Sequence, residues 1–526
     1  MVAVVNQDVL EAVCEALDNY ADLRSFSLTC SPLRPTAVRC LLSLKPIILT
    51  ETTVHAFHRF VFADPDARGQ HIRGIVAGSS AGWRSNMTCT VDVATCFIEI
   101  LERATHLKHL TLRNLGESYL GDTRIIPAMA RLRTLMDLRM LKCDQRPSDD
   151  FLRASRSPIR TVRAPSSLSS PFETLANFSS TLQSIEFWEI PFEDFAVGPR
   201  FPAVHSLAVY NVWGTLRLNA LLHMFPFLST TLSFPFFSQP SVFHPLALRE
   251  ANKRAQDELG EHSWRRLDHV SGWPILLFVL NLQCPVRHLA VCCWQGLQPH
   301  FTSAALRNAH PQCLELFNVR LPEAIYELSD GLFPPEARAT ITHFLLVMEY
   351  KARPDSTSIP QGPSITLWKN VVDKLCSAIT ALNGLAHLRV IIECSIPSGA
   401  RDVEDMFVRT LRHGGGTPYR HAAEEFAAAA PSLRNIIFTS SAREISSGQQ
   451  GPVHCWRVEN GWRVARHEGS TGGAADEAFA GGDWQVDALS GEETTSVLRR
   501  EDLIDSSSRL SIYNMEREFC DDLFAA

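Results

Sequence analysis

One pattern recurs along this chain and limits what it can fold into: apolar-x-x-apolar-x-apolar. It reads Leu107-Leu110-Leu112, Leu135-Leu138-Met140, Ile159-Val162-Ala164, Leu182-Ile185-Phe187 and Val204-Leu207-Val209. The middle positions of these five copies are 28, 24, 23 and 22 residues apart. The closing apolar-x-apolar pair alternates as a short strand does, sending every second side chain into a core. The apolar residue three positions earlier closes the turn that enters the strand. Later copies are Val286-Leu289-Val291, Ile341-Phe344-Leu346, Leu385-Leu388-Val390 and Leu433-Ile436-Phe438, with a degenerate copy at Leu314-Leu316. Their longer steps imply helices between the strands. Such helices are legible: Leu367, Val371, Leu375, Ile379 and Leu382 share one helical face, and 402–411 and 421–430 give two more. No single copy could bury its apolar side alone, whereas stacked copies share one continuous core.

The spacing resembles that of leucine-rich repeats, whose steps run from roughly 20 to 29 residues. The asparagine that ladders along regular arrays is mostly missing; Asn114, Asn211 and Asn318 follow strand patterns at varying offsets. The resemblance is therefore to the irregular type. It implies an α/β solenoid, a curved parallel sheet with outer helices. An ordinary α/β domain with several buried strands is the competing reading.

The N-terminal forty residues read differently. Asn6 and Asp8 are helix-capping residues ahead of Val9, Leu10, Val13, Ala16 and Leu17 at helical spacing. A second helix begins near Asp22, and a third covers Thr36 to Leu42. Three helices this short bury little surface on their own and need something to pack on.

The string Asp8-Val9-Leu10, then Leu17, then Asp22-Leu23-Arg24-Ser25-Phe26-Ser27-Leu28-Thr29-Cys30, then Leu41-Leu42, resembles the F-box. It covers less than a tenth of the chain. That family opens on Leu-Pro, where this chain has Val5-Asn6; the usual Trp before the third helix is absent or replaced by Leu33, and Pro35 stands where that helix starts. The resemblance implies docking on the Skp-type adaptor of cullin–RING ubiquitin ligases. It divides Leu10, Val13, Leu17, Leu23, Phe26 and Leu28 between the module's core and its adaptor-binding face. The solenoid would then hold a target protein on outward-facing strand residues, among them Arg113, Arg139, Trp188 and Tyr210, with Glu186, Ala208 and Glu349. The competing reading is a binding scaffold whose N-terminal helices no longer dock.

The expected organisation is a helical module over 1–45, a helical linker or first solenoid layers over 46–100, and the solenoid over 101–467. Within the last, an insertion falls near 234–280: Phe234–Pro245 reads as a loop, and the charged helix from Arg249 to Leu267 presents a solvated face. Val453–Val458 and Gly461–Val464 flank Glu459-Asn460-Gly461, which predicts a terminal hairpin over 453–464. The Gly-, Ala- and Ser-rich stretch 468–526 reads as a largely disordered tail with transient helices at Val497–Ile504 and Tyr513–Phe524, and Ser506–Ser508 as a weak phosphorylation signal.

The remaining features exclude more than they assign. A net charge of −7 over 526 residues gives no basic bias toward nucleic acid or anionic lipid. The longest apolar run, Trp273–Leu282, is half the roughly 20 residues that span a bilayer. The first ten residues lack the pattern of a secretory signal, so the expected setting is cytosolic or nuclear. The fourteen cysteines, none in a CxxC pair, are expected to be reduced thiols. The chain contains no GxxxxGK[ST], HExxH or GxGxxG, and no catalytic residue, cofactor or metal is expected. Histidines recur at strand entries (His106, His109, His205, His288, His343, His387), a structural position too widely spaced in sequence for ligation.

Overall fold

A computed structural model of the chain describes residues 7–503 apart from 18, 30, 65–67, 79–90, 114–123, 142, 165–169, 192–197, 215, 239–243, 261–262, 295, 322, 329, 352–363, 398–405, 414–416, 446–452 and 467–483. Asn114, Ser506–Ser508 and Tyr513–Phe524 lie outside the described residues. The chain is α/β and its strands are mostly parallel. It divides into two compact units, the first taking in the described residues up to Ser229 and the second those from Thr230 onward apart from Ser238.

The first unit begins with α1 (Gln7–Ala16), α2 (Tyr20–Thr29) and α3 (Arg34–Leu44). Pro35 does not obstruct α3: it sits in the first turn, where its missing N–H would have no helical partner anyway. Seven parallel strands follow in chain order: β1 (Ile47–Leu49), β2 (Gly74–Gly78), β3 (His109–Arg113), β4 (Asp137–Leu141), β5 (Thr161–Ala164), β6 (Ser184–Pro191) and β7 (Ser206–Trp213). Residues 46–100 are thus the first layers, with strands β1 and β2 alternating with helices Val54–Phe62 and Val91–Arg103.

The repeat pattern becomes a column. Ile75, Leu110, Leu138, Val162, Ile185 and Leu207 are register partners on successive strands, all fully buried. Leu107, Leu135, Ile159, Leu182 and Val204 close the preceding turns and are buried too. The backbone repeats with them. The carbonyl of Arg73 accepts two successive amides, Lys108 at 2.8 Å and His109 at 3.0 Å, and Lys108, Met136, Arg160 and Gln183 do the same for the next layer. Each turn into a strand is therefore hung on the layer before it, and its backbone polar groups are satisfied.

In the second unit β8 (Thr231–Phe234) pairs in parallel with β10 (Leu267–Gly272), which leads through β11 (Val286–Cys292), β12 (Cys313–Leu321), β13 (His343–Lys351) and β14 (His387–Pro397) to β15 (Asn435–Ile445). The three-residue strand β9 (Phe236–Ser238) stands at the boundary of the units in sequence. Leu232, Val270, Leu289, Leu314, Phe344, Leu388 and Ile436 form the equivalent buried column. Gln312, Thr342 and Ala386 repeat the double carbonyl acceptance. Long helices cover one side, including Ser364–Thr380 and Thr417–Ala429. Several covering helices open on proline (Pro245, Pro274, Pro299, Pro335), whose fixed φ suits the first helical turn.

Three expectations fail here. Residues 234–280 are not an insertion: they hold β10 and the covering helices Pro245–Leu259 and Pro274–Leu280. The charged helix turns one face inward, where Asn252 Nδ2 donates to the Val279 carbonyl at 2.9 Å and Gln256 Nε2 to that of Asn281 at 3.0 Å. Polar side chains made this contact look solvated. The hairpin over 453–464 is instead one continuous strand, β16 (Val453–Arg466), antiparallel to β15 on one side and to β17 (Trp484–Ala488) on the other. Neither Asn460 nor Gly461 has the positive φ that the predicted turn requires. Gly461 is needed for closeness: a Cβ there would lie 2.6 Å from Thr494 Oγ1. Finally, the segment 484–503 is not a disordered tail. It forms β17 and the helix Gly491–Arg500, whose capping box pairs the Ser490 hydroxyl with the Glu493 amide at 3.2 Å and the Glu493 carboxylate with the Ser490 amide at 2.9 Å.

Candidate functional site

The N-terminal helices meet in a small core of their own. Asn19 Oδ1 accepts from the Ala21 amide at 2.9 Å and so starts α2. Cys14 of α1, Leu23 of α2 and Ala37 of α3 are fully buried together, with Leu17, Phe26, Cys40 and Leu41 packed around them. An Arg39–Glu15 ion pair at 2.9 Å ties α3 to α1 on the surface. The six residues singled out from the sequence therefore separate. Leu23 is core, Leu17 and Phe26 lean on that core, and Leu10 is half-buried. Val13 and Leu28 stand in solvent at 41% and 77% exposure, and Val9, not singled out, joins them at 53%. Val9 and Val13 are four apart on α1 and so share one face.

The first unit carries a second surface. Alternation sends Thr111, Arg139, Arg163, Glu186 and Ala208, register partners from β3 to β7, to the side opposite the apolar column. Arg163 Nε donates to Glu186 Oε2 at 2.5 Å, and the Tyr210 hydroxyl donates to the same oxygen at 3.4 Å. Burial, then the Glu186 charge, pushes the Tyr210 phenol well above its usual range, so it stays a neutral donor. Arg139 pairs with Asp137 of its own strand at 3.2 Å. The Trp188 and Tyr210 rings lie 5.9 Å apart, tilted by 40°. Arg113 is half-buried at the end of β3, on the same side as Thr111 by strand alternation. Of the residues named from sequence, Arg139, Trp188, Tyr210 and Glu186 fall into one cross-braced array. Arg163, its central cation, was not singled out, although it occupies the same position of its repeat as Arg139 does. Held rings and arginines of this kind are what protein interfaces favour.

The second unit differs: its corresponding face is covered. Ile437, a register partner of Arg389, packs against Val497, Leu498 and Leu503 with Leu489 beside them. The Arg389 guanidinium, 4% exposed, donates to the Leu503 carbonyl and to Thr439 Oγ1 at 3.4 Å, and it pairs with Glu459 at 3.5 Å. Glu349 lies farther along β13, half-buried, where burial and then the neighbouring Glu393 raise its pKa.

Beneath this cover the histidine positions align. His269, His288, Cys313, His343, His387 and Asn435 are register partners across β10 to β15. The sequence argument from wide spacing does not hold, because strand register brings together residues far apart in the chain. His288 Nε2 is 3.2 Å from Oε2 of the fully buried Glu315. Burial acts to lower the His288 pKa, but hydrogen bonds with Cys313 and Glu315 prevail and raise it from 6.5 to about 10. A pKa raised on folding stabilises fully below the unfolded value and loses that gain as pH climbs through the folded one. The urea midpoint of the whole chain is therefore expected to fall between pH 6.5 and 10, and Glu315→Gln to flatten that slope. A slope indifferent to Glu315→Gln would contradict the pairing.

No family model matches the chain, and no curated protein matches it.

Proposed function

We propose that this chain is the substrate-recognition adaptor of a Skp/cullin/F-box-type ubiquitin ligase. In this reading α1–α3 are an F-box-like module that binds the Skp-type adaptor. The layers behind it are an irregular leucine-rich solenoid, and the Arg139–Arg163–Glu186–Trp188–Tyr210 face holds a target protein in the cytoplasm or nucleus. The chain itself does no catalysis; the cullin complex supplies it.

The observation that carries the proposal is the division of apolar residues in α1–α3. Helices this short bury little apolar surface among themselves and need a further surface to pack on. Val9, Val13 and Leu28 face water around a core already filled by Cys14, Leu23 and Ala37. Apolar residues left exposed beside a completed core support a docking face. One observation favours the alternative, a non-catalytic scaffold whose helices have stopped docking: Leu17 and Phe26 are engaged in the module's own packing.

Co-purification of the full chain with a purified Skp-type adaptor tests the choice. The wild-type chain is expected to retain the adaptor, and a Val9→Asp, Val13→Asp double variant to lose at least about tenfold in affinity, since two exposed apolar contacts become charged. Equal retention by a folded double variant, or none by the wild type, would leave the scaffold reading.

A further inference from the structure

We propose that His343, His387 and Glu501 form a binding site for a divalent transition-metal ion, best suited to Zn²⁺, that fastens the C-terminal segment to the strand face of the second unit. The three donors come from three elements: β13, β14 and the residue that follows the helix Gly491–Arg500. Their ligand atoms all lie within 4.8 Å of one another. His343 Nε2 is 3.7 Å from Glu501 Oε2, and His387 Nε2 is 3.5 Å from the same oxygen. Donors around one tetrahedral ion at about 2.0–2.2 Å stand at comparable separations.

The surroundings fix which atoms face the ion. His343 Nδ1 is engaged by the Thr342 hydroxyl at 2.8 Å, and His387 Nδ1 by the Asn435 side-chain amide at 3.1 Å. Both rings therefore present Nε2, and outer partners of this kind are how metal-binding imidazoles are oriented. Asn435 presents Nδ2 to His387 Nδ1, and a half-turn of that amide brings its oxygen round to accept from Nδ1–H, which frees the Nε2 lone pair for the ion. Arg500 Nε holds Glu501 Oε1 at 2.7 Å and leaves Oε2 to the rings. The two imidazoles stack at 4.5 Å and 16°, so their Nε2 edges must tilt together to share an ion, a χ2 adjustment within a broad torsional well.

Two imidazole nitrogens and one carboxylate oxygen suit Zn²⁺ or Co²⁺ and disfavour Mg²⁺ and Ca²⁺, which take oxygen sets. A water completes the fourth position. The ion adds a further attachment to a covering segment already held by Val497, Leu498, Leu503, the Arg389 contact and the Arg287–Asp502 ion pair.

Cobalt titration of the chelator-stripped full chain tests this. One equivalent of Co²⁺ is expected to give visible ligand-field absorption that Zn²⁺ abolishes. The signal should vanish in a His343→Gln, His387→Gln double variant. In Glu501→Gln the affinity should drop at least about tenfold, since even outer partners of ligands are worth that much. Zn²⁺ should also slow amide exchange over 490–503 in the wild type and leave it unchanged in Glu501→Gln. Circular dichroism checks the fold; should the double variant misfold, the exposed-side Glu501→Gln carries the test alone. Absence of a stoichiometric cobalt spectrum in the wild type overturns the site. So does a spectrum that persists undiminished in either folded variant.

Discussion

Phe438→Ala is expected to destabilise the second unit by about 3–5 kcal/mol, the range for removing a buried phenylalanine. Phe438 sits on β15 at the centre of an aromatic cluster that joins four elements. Its ring stacks on Tyr419 at 5.1 Å and on Phe426 at 5.7 Å, both from the helix Thr417–Ala429. Trp368 of the helix Ser364–Thr380 lies 5.8 Å away, and Trp462 of β16 meets it edge-on at 5.7 Å. Tyr419 is locked in turn, its hydroxyl 2.9 Å from Ser440 Oγ and 3.0 Å from the Leu411 carbonyl. So many fixed neighbours prevent collapse into the space a truncated side chain leaves, which places the cost at the high end of the range. Urea unfolding monitored by tryptophan fluorescence reads it, because Trp368 and Trp462 both report on the cluster. A change below about 0.5 kcal/mol, the size of an ordinary surface effect, would mean that the helices do not pack on β15 as described.

Arg389→Ala is expected to release the C-terminal segment, at a cost of about 2–5 kcal/mol. The guanidinium lies between β15, β16 and the 501–503 turn, and its removal takes the arginine donor from the Leu503 carbonyl, while Glu459 keeps Thr439 Oγ1 at 3.1 Å and Arg457 at 3.0 Å. Unpaired groups in a covered site carry most of such a penalty. Amide exchange over 490–503 should accelerate by about thirtyfold or more, the lower bound of that range, while β3 to β7 of the first unit keep their protection. Exchange unchanged over 490–503 would show that Val497, Leu498 and Leu503 hold the segment without the arginine.

The strand columns were legible because they rest on a period-two alternation and a repeated step, both of which are local properties of a sequence. Strands β3 to β7 and β11 to β15 fall where the pattern puts them, Leu314-Leu316 included. Strands β1, β2, β8 and β10 were missed: Leu44-Ile47-Leu49 and Ile72-Ile75-Ala77 carry the pattern but precede the run of evenly stepped copies, and Ser229-Leu232-Phe234 and Leu267-Val270-Gly272 each lose one apolar position, to serine and to glycine. The C-terminal cover was missed for a different reason. Val497, Leu498 and Leu503 are few apolar residues in a polar stretch, and the back of β15, at Ile437, gives them something to bury against. Composition alone cannot see that surface. The same holds for His343, His387 and Glu501, whose meeting depends on register and on where the covering helix ends. In α1–α3 the sequence marked the helices but not their sides: Val9 reads like Leu10, and only the folded arrangement puts the first in water and the second half under cover.

The adaptor proposal is tested most directly by amide exchange of the full chain with and without saturating Skp-type adaptor. Protection is expected over 7–44, strongest in the peptides that hold Val9, Val13 and Leu28, with β3 to β7 unchanged and free for a target. A complex that protects the strand face and leaves 7–44 as it was, or no complex at all, would contradict it.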